Sequence, residues 1–473
     1  MEKPHSQHGT LRWSHGMLGV ALMLIMFSLV LSSLVSTQYV FSYLEADLFP
    51  NSSLSSSDGS ACNVNKSTES YRERTAVEKS ASRLNIFTKL AETIPALITS
   101  GIIGGLSDKF GRTRILSFTT TCFVLSTCFS SVVIYFEIDV YYFIISSTLY
   151  SIGGGLFGAL SIGFAYISDV TIPGRQRTLM ITLLEASVGV GAALSGIISG
   201  YILSSIGFFY ASLCVSASAA SAMLVVVLFL PPSRPPVRLL SDTSIFENAR
   251  ASFTFYFRAS PSRYKYVLAI ITFLIGALSL LGKQNTEILY QLNAPFCWTS
   301  VYVGYYSAIS TSASMILGVA TVKILQKIFV EEIIAVFSAV SSLVACLVEA
   351  FAVSDLMLFL SPAIGFLSAL VFPMIRSMLS KLTPPERQGA LFAGIAVVEI
   401  AANLGSNVGA STIYVATIGI MRSFVFLVFG GLSLITACLL MVFRIMNGGS
   451  KIIPIHDVTK DVTGTQVLVE NEG

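Results

Sequence analysis

The chain has 473 residues, of which 53% are hydrophobic and only 12% are charged, and its mean hydropathy is +0.75. A soluble protein of this length cannot bury so many apolar side chains, so the composition excludes a soluble enzyme or binding module and indicates a multi-pass membrane protein. The formal net charge of +3 is too small to indicate a nucleic-acid partner, and we expect the lipid bilayer to surround the chain.

Twelve apolar runs are long enough to cross about 30 Å of hydrocarbon as helices. They form two sets of six, at residues 16–44, 84–106, 115–136, 140–167, 178–202 and 207–231, and at 266–289, 301–325, 333–353, 355–380, 390–418 and 421–444. The first run is too long to be the core of a cleavable signal. The prediction is an all-α membrane protein with six-helix bundles at 16–231 and 266–444.

Basic residues predict which side of the membrane each loop faces. Lys and Arg occur in alternate loops, at 109–114, 175–177, 323–327 and 381–387, and in a Pro-rich linker at 232–265. The positive-inside rule therefore predicts that the linker and both tails, at 1–15 and 445–473, lie in the cytoplasm.

A long loop at 45–82 is predicted to lie on the outer side. It contains two Asn-X-Ser/Thr sequons, at Asn51 and Asn65, which predict N-glycosylation. Cys62 in this loop and Cys297 in the second half are the two cysteines in outward loops, and we predict that a disulfide between them joins the halves on the oxidising face. Two free thiols are the alternative.

A cationic segment, GGLSDKFGRTR, joins the second and third predicted spans. Its glycines allow two helices to approach and the chain to turn, its aspartate can bind a positive group or a helix N-terminus, and its arginines suit the headgroup region. The spacing resembles the loop signature of the major facilitator superfamily of transporters; a basic loop with incidental glycines is the alternative. We predict a latch for the helices of the first half, away from substrate, made of Gly104, Asp108, Gly111, Arg112 and Arg114.

Two loops repeat with a constant offset. TIPGRQRTL, from Thr171, and TPPERQGAL, from Thr383, share Thr, Pro, Arg, Gln and Leu at positions 212 residues apart. The offset is about the length of one six-helix half, so duplication of the halves explains the match better than chance does. Transporters built from such repeats rock one half against the other around a site near the bilayer midplane.

Further segments resemble solute carrier family 46. They are STQYVF at 36–41, SDKFGR within the cationic loop, AYISD at 165–169, SGYI at 199–202, ILYQLNAPFCW at 288–298, VGYYSA at 303–308, and MIRSMLSKL with ERQGALFA between 374 and 393. The resemblance implies the pseudo-symmetric major facilitator fold, a functional role for Arg376, and bridged cysteines at the positions of Cys62 and Cys297. Leu280 replaces a histidine of the folate-transporting member and Glu399 an uncharged residue, and in both the chain resembles the lysosomal member.

Ionisable residues inside apolar helices are costly and mark candidate transport sites. Glu185 in the fifth span and Glu399 in the eleventh are the predicted proton carriers, because such a carboxyl group can take up a proton from an acidic exterior and release it inside. Asn403 lies one turn after Glu399, on the same face. The alternative is that each carboxylate pairs with a neighbouring helix for structure alone. Lys89 and Glu92, three residues apart, predict a salt bridge within the second span.

Arg376 in the tenth span is predicted to bind the anionic group of a substrate or one of those carboxylates, because a guanidinium stays charged and binds carboxylates bidentately. In the seventh span, Lys283 and Glu287 are four residues apart, so mutual neutralisation is an alternative to substrate binding. Three tyrosines at the start of the eighth span, Tyr302, Tyr305 and Tyr306, can stack on a flat ligand or anchor the helix at the interface. The predicted substrate-binding set is Arg376, Lys283, Gln284, Asn285, Tyr305, Tyr306 and Asn403.

All four histidines lie in the tails, so we predict no metal site, no cofactor and no histidine relay, and carboxylates must carry the proton. We expect no enzyme activity. The predicted function is symport of protons with an organic anion, folate-like or another bulky amphipathic solute, by alternating access and driven by the proton gradient, in the plasma or endolysosomal membrane. The alternatives are a lysosomal exporter of bulky polar catabolites or muramyl-type peptides, and a receptor or scaffold without turnover.

Overall fold

The computed structural model describes residues 13–49, 69–233, 263–292, 296–298, 300–384, 387–417, 421 and 423–448. Several predicted features lie outside these residues: both sequons, Asn51 and Asn65, one cysteine of the proposed disulfide, Cys62, and most of the linker and tails. The glycosylation and the disulfide with Cys297 therefore stay predictions.

The described part of the first half contains six α-helices. They are α1 (Trp13–Leu48), α2 (Glu69–Phe110), α3 (Arg112–Tyr135), α4 (Phe143–Ile152), α5 (Gly155–Val170) and α6 (Arg175–Phe229). The prediction of a loop up to residue 82 is wrong at its C-terminal end, because α2 already begins at Glu69. Residues 69–78 include three glutamates and two arginines, which are strong helix formers, so the helix extends beyond its apolar part.

Glycines divide two of these elements. Gly154 has φ 85°, a left-handed conformation, and it separates α4 from α5, which together form the fourth span, Val140–Val170. Gly207 has φ 76° and ψ 176° inside α6. It lies between the fifth span, Arg175–Leu203, and most of the sixth, Ser205–Phe229.

The second half follows the same plan. Its helices are α7 (Arg263–Leu292), α8 (Ser300–Ile328), α9 (Glu331–Ala350), α10 (Asp355–Ile364), α11 (Val371–Leu382), α12 (Gln388–Thr417) and α13 (Phe424–Met446). Here α10 and α11 together form one span, Asp355–Leu382. Within the described residues, eleven helical segments are long and apolar enough to cross a membrane, and α8, with 29 residues, covers the remaining predicted span.

Hydroxyl groups join the apolar helices of the first half. Ser28 Oγ on α1 donates to the carbonyl oxygen of Val215 (2.9 Å), and Ser218 Oγ donates to the carbonyl oxygen of Leu24 on α1 (3.3 Å). Such bonds suit a membrane bundle, where apolar contact between helices gains little over contact with lipid.

We call the end of the bundle that carries the loops after α2, α5 and α11 the basic end.

Candidate functional site

Arg376 on α11 forms the centre of a buried ion cluster. Its side chain is 3% exposed, and its two terminal nitrogens donate to Glu185 on α6 and to Glu399 on α12. Glu185 belongs to the first half, whereas Arg376 and Glu399 belong to the second. The structure thus brings together three residues that the sequence predicted separately, and Arg376 links the two halves through charge-assisted hydrogen bonds.

Aromatic rings enclose the Arg376 guanidinium. Its Cζ atom lies 4.4 Å from the ring centre of Phe164, 5.3 Å from that of Phe273 and 5.8 Å from that of Phe372. Rings at these distances stabilise a cation through their negative faces. Among the described residues, no acceptor reaches the buried Nε–H group of Arg376. The cluster therefore has one hydrogen-bond donor available for a further acceptor.

Asn403 lies one turn after Glu399 on α12 and is half-buried. Its carbonyl oxygen and its side-chain oxygen accept hydrogen bonds from Asn407 Nδ2, at 2.8 and 3.1 Å. The α12 face next to Glu399 is therefore polar, as the sequence indicated, and Asn407 extends it by one turn.

A second ion cluster lies inside the second half. Lys283 on α7 binds Glu349 on α9 (2.7 Å), and Ser361 Oγ on α10 also donates to Glu349. Glu287, one turn after Lys283, accepts a hydrogen bond from Tyr306 on α8. The main ion pair of Lys283 is therefore not with Glu287. It is with Glu349 on α9, whose side chain is fully buried.

The remaining members of the predicted substrate-binding set differ in how far they are exposed. Gln284 is exposed, and the side chain of Asn285 lies outside the described residues. Tyr305 is 62% exposed, whereas Tyr306 is 2% exposed. The sequence analysis missed Glu349, an acidic residue inside the predicted span 333–353, although its place in an apolar helix is the signal that marked Glu185 and Glu399.

The cationic segment at the basic end contacts the second half. Asp108 accepts hydrogen bonds from the backbone N–H groups of Gly389 and Ala390 (3.1 Å each), in the first turn of α12. A carboxylate is favoured there because the first N–H groups of a helix lack partners within it. Gly104 permits this approach, since a Cβ atom at that position would lie 2.6 Å from the carbonyl oxygen of Gly389. The latch was predicted within the first half, but Asp108 also connects the first half to the second.

Arg112 holds Asp108 in place. It is 4% exposed and binds Asp108 and Asp169, the latter at 3.1 Å. Gly111 has φ 95° and makes the turn between α2 and α3. Arg114 is exposed, so the expectation that it shares these contacts is wrong. Asp169, which ends the AYISD segment, is the latch residue that the sequence analysis missed.

The two halves also meet through residues of the internal repeat. Ser168 Oγ on α5 and Ser380 Oγ on α11 are 3.1 Å apart, and the residues are separated by 212 positions, the offset of the repeated loops. Phe164 and Arg376, which are in contact, have the same separation. Equivalent helices of the two halves therefore cross where the pseudo-twofold axis passes.

Different side chains donate to equivalent backbone carbonyl groups in the two repeats. Arg177 donates to the carbonyl oxygens of Ser168 (2.9 Å) and Thr171 (3.1 Å). In the second half, Gln388 donates to the carbonyl oxygens of Ser380 and Thr383, at 2.9 Å each. These two residues lie 212 positions after Ser168 and Thr171. This equivalence supports an origin of the halves by duplication.

A second contact joins the halves at the basic end. Glu331, at the start of α9, accepts a hydrogen bond from Thr178 of α6 and pairs with Lys381 at 2.6 Å. With the Asp108 contacts, it holds the basic end closed.

A cavity of about 630 Å³ lies elsewhere, between α1, α2, α3 and α4. Lys89 and Glu92 line it and form the predicted salt bridge (2.8 Å). It includes none of the predicted site residues. Arg376 does not line this cavity, and its terminal nitrogens are bound to Glu185 and Glu399.

A family profile described as Major Facilitator Superfamily matches residues 90–393. The chain belongs to the major facilitator superfamily. This facilitator is 29% identical over 424 residues to the lysosomal proton-coupled steroid conjugate and bile acid symporter SLC46A3 of Gallus gallus, covering 88% of this chain and 90% of the relative. It is also 29% identical over 423 residues to the proton-coupled folate transporter of Bos taurus, covering 88% and 89%.

Solved structures have the same fold. The human organic anion transporter MFSD10 (TETRAN) superposes with a TM-score of 0.69 at 17% identity, covering 93% of this facilitator and 100% of that chain. The fucose:proton symporter FucP of E. coli gives 0.65 at 12% identity, covering 91% and 98%. The resemblance to solute carrier family 46 is therefore confirmed by its relatives, the fold is confirmed by these structures, and the relatives are transporters rather than enzymes.

Proposed function

We propose that this facilitator couples the entry of protons to the transport of an organic anion by alternating access. The observation that carries the proposal is the position of Arg376, held between Glu185 of the first half and Glu399 of the second. In this arrangement a substrate carboxylate competes with Glu185 and Glu399 for the Arg376 guanidinium, and a proton competes with that guanidinium for Glu185.

The competition gives a coupling mechanism. While both glutamates are ionised, they occupy the terminal nitrogens of Arg376. A proton on Glu185 removes one ion pair and leaves a cation that can bind the carboxylate or sulfate group of a substrate. The same proton weakens a link between the halves, so loading and reorientation are joined. Release of the proton on the other side restores the pair and expels the anion.

The substrate class follows from the surroundings of Arg376. Three phenylalanine rings and a polar α12 face suit a bulky amphipathic anion with a flat ring system. The names of the relatives support folates and steroid conjugates as the first candidates. A lysosomal membrane is the second candidate location beside the plasma membrane, supported by the SLC46A3 relatives; there the same cycle would export catabolites or muramyl-type peptides. We further propose cytoplasmic termini, which place the basic end inside.

The test of the function is uptake of a radiolabelled folate, a steroid sulfate and a muramyl dipeptide at acidic and neutral external pH. We expect the wild type to accumulate at least one probe, more strongly at acidic pH. We expect Glu185→Gln to lose accumulation against a gradient and its acid stimulation, because a glutamine cannot carry the proton. Exchange of labelled for unlabelled probe should persist, since exchange needs no net proton release.

The matched control is Glu92→Gln, which neutralises another glutamate of a spanning helix that pairs with an exposed lysine (64% exposed). It should transport like the wild type, and surface expression is measured for both variants. Acid-stimulated accumulation that is intact in Glu185→Gln would remove the proton-carrier role. Absence of proton-dependent movement of every probe would favour a receptor or scaffold.

The proposed Cys62–Cys297 bridge predicts one linked peptide pair. We expect digestion without reductant, followed by mass spectrometry, to yield a peptide containing both residues, because both positions are assigned to the oxidising face. Reduction should separate them. Recovery of the two peptides as separate alkylated thiols from non-reduced protein would contradict the bridge and the assigned orientation of the halves.

A further inference from the structure

The second ion cluster contains more carboxyl groups than cations. Lys283 faces Glu349 and Glu287, and its side chain is only 14% exposed, while that of Glu349 is fully buried. One ammonium group neutralises one carboxylate. An additional ionised carboxylate beside the same ammonium group would lack a compensating cation.

The positions of the two carboxyl groups support the same conclusion. Glu287 lies one turn after Lys283 on α7, and Lys283 pairs with Glu349 at 2.7 Å, so both carboxyl groups lie beside one ammonium group. Two ionised carboxylates contain only acceptors and repel each other, so a proton shared between them stabilises the pair. Among the described residues, no side-chain or backbone donor reaches the buried Oε2 atom of Glu349. A protonated Glu287 supplies that missing donor.

From these contacts we propose that Glu287 and Glu349 share one proton beside Lys283, and that this carboxyl pair is a second proton-binding site of the facilitator, separate from Arg376. Glu349 is the fully buried member of the pair, and it is held in place by Lys283 and Ser361. Glu287 is the member that exchanges the proton with solvent, because it is partly exposed and lies in the last turns of α7, towards the end opposite to the basic end.

The groups around the pair support this assignment. Tyr306 donates to Glu287 from α8, and the rings of Trp298 and Phe359 lie 5.6 and 5.4 Å from the ring of Tyr306. The titratable and charged groups that face the pair are Lys283 and Tyr290 on α7, Tyr306 on α8 and Cys346 on α9. Lys283 is the one cation in that set. When Glu287 loses its proton, it competes with Glu349 for Lys283, so the charge state of the pair changes the contact of α7 with α9.

The site itself stands without the proposed function, but its use in transport rests on proton coupling. The first measurement is therefore infrared titration of the protonated-carboxyl stretching band on purified protein in lipid, which needs no substrate. We expect Glu287→Gln to remove one titrating component of this band. Glu185→Gln should leave that component in place, and Glu92→Gln serves as the control for an unrelated glutamate.

Tyr306→Phe provides a second variant in case Glu287→Gln fails to fold. It removes the hydroxyl donor and keeps both carboxyl groups, so the Glu287 component should remain and shift in frequency. An unchanged set of components in Glu287→Gln, or an unshifted band in Tyr306→Phe, would overturn the proposal. The second measurement is the number of protons moved per substrate in liposomes, which we expect to fall by one in Glu287→Gln. If Glu185→Gln retains acid-driven accumulation while Glu287→Gln still loses its component, the proposed function fails and the second site stands.

Discussion

Arg376→Met is expected to abolish uptake and to lower the free energy of unfolding by about 3–5 kcal/mol, the usual cost of removing one partner of a buried ion pair. The cost arises because Glu185 and Glu399 are left buried without their shared cation. Thermal unfolding of detergent-purified protein measures the stability, and radiolabelled uptake measures transport.

A neutral triad separates the two effects. In the triple variant Arg376→Met, Glu185→Gln, Glu399→Gln no charge remains unpaired, so we expect most of the stability to return without uptake. Lys323→Met is the matched control, because it also replaces a cation on a helix of the second half, but Lys323 is exposed, and exposed pairs contribute only about 0–1 kcal/mol. Wild-type uptake by Arg376→Met, or uptake restored in the neutral triad, would contradict the assigned role in binding and coupling.

Asp108→Ala is expected to lower the maximal rate of uptake on the order of a hundredfold while the half-saturating concentration changes little. The variant loses two hydrogen bonds to the start of α12 and the ion pair with Arg112. Hydrogen bonds to a charged group contribute about 1.5–3 kcal/mol each, and 1.4 kcal/mol changes the ratio of two states tenfold. The state that is closed at the basic end is therefore depopulated, while the contacts of Arg376 are unchanged. Initial rates over a range of probe concentrations measure both parameters.

Arg114→Ala is the control for Asp108→Ala, because Arg114 lies in the same segment and is exposed. It should behave like the wild type. Asp108→Asn keeps one acceptor oxygen, so its rate should lie between those of the wild type and Asp108→Ala. Loss of affinity at a normal maximal rate in Asp108→Ala would contradict the latch and would place Asp108 in substrate binding.

The closed basic end and the central cluster describe one conformation of the alternating cycle. Asp108, Glu331 and Ser380 each contact the opposite half at the basic end, and Glu185 reaches Arg376 from the first half. All of these contacts must break for the halves to rock apart there. Of these contacts, those of Arg376 are positioned to respond to both a proton and an anion. We therefore assign proton coupling to Arg376 and its glutamates, and we assign closure of the basic end to the latch.

The sequence by itself determined the number and order of the spans, the duplicated halves and the identity of the central residues. Hydrophobic length fixes a span because backbone groups in lipid must be satisfied within helices. The cost of a buried charge marked Glu185, Arg376 and Glu399 one at a time. Local helix propensity was underestimated before Lys79, so α2 was predicted too short.

Only the tertiary structure decided which charges are partners. Lys283 has Glu287 one turn away on its own helix, yet it pairs with Glu349 on α9, and Asp108 extends to the other half rather than remaining within its own. Spacing along a chain reports neighbours on one helix, whereas these partners come from helices whose contact depends on how whole bundles pack. The same packing placed Arg376 between a glutamate of each half, and on this arrangement the proposed coupling depends.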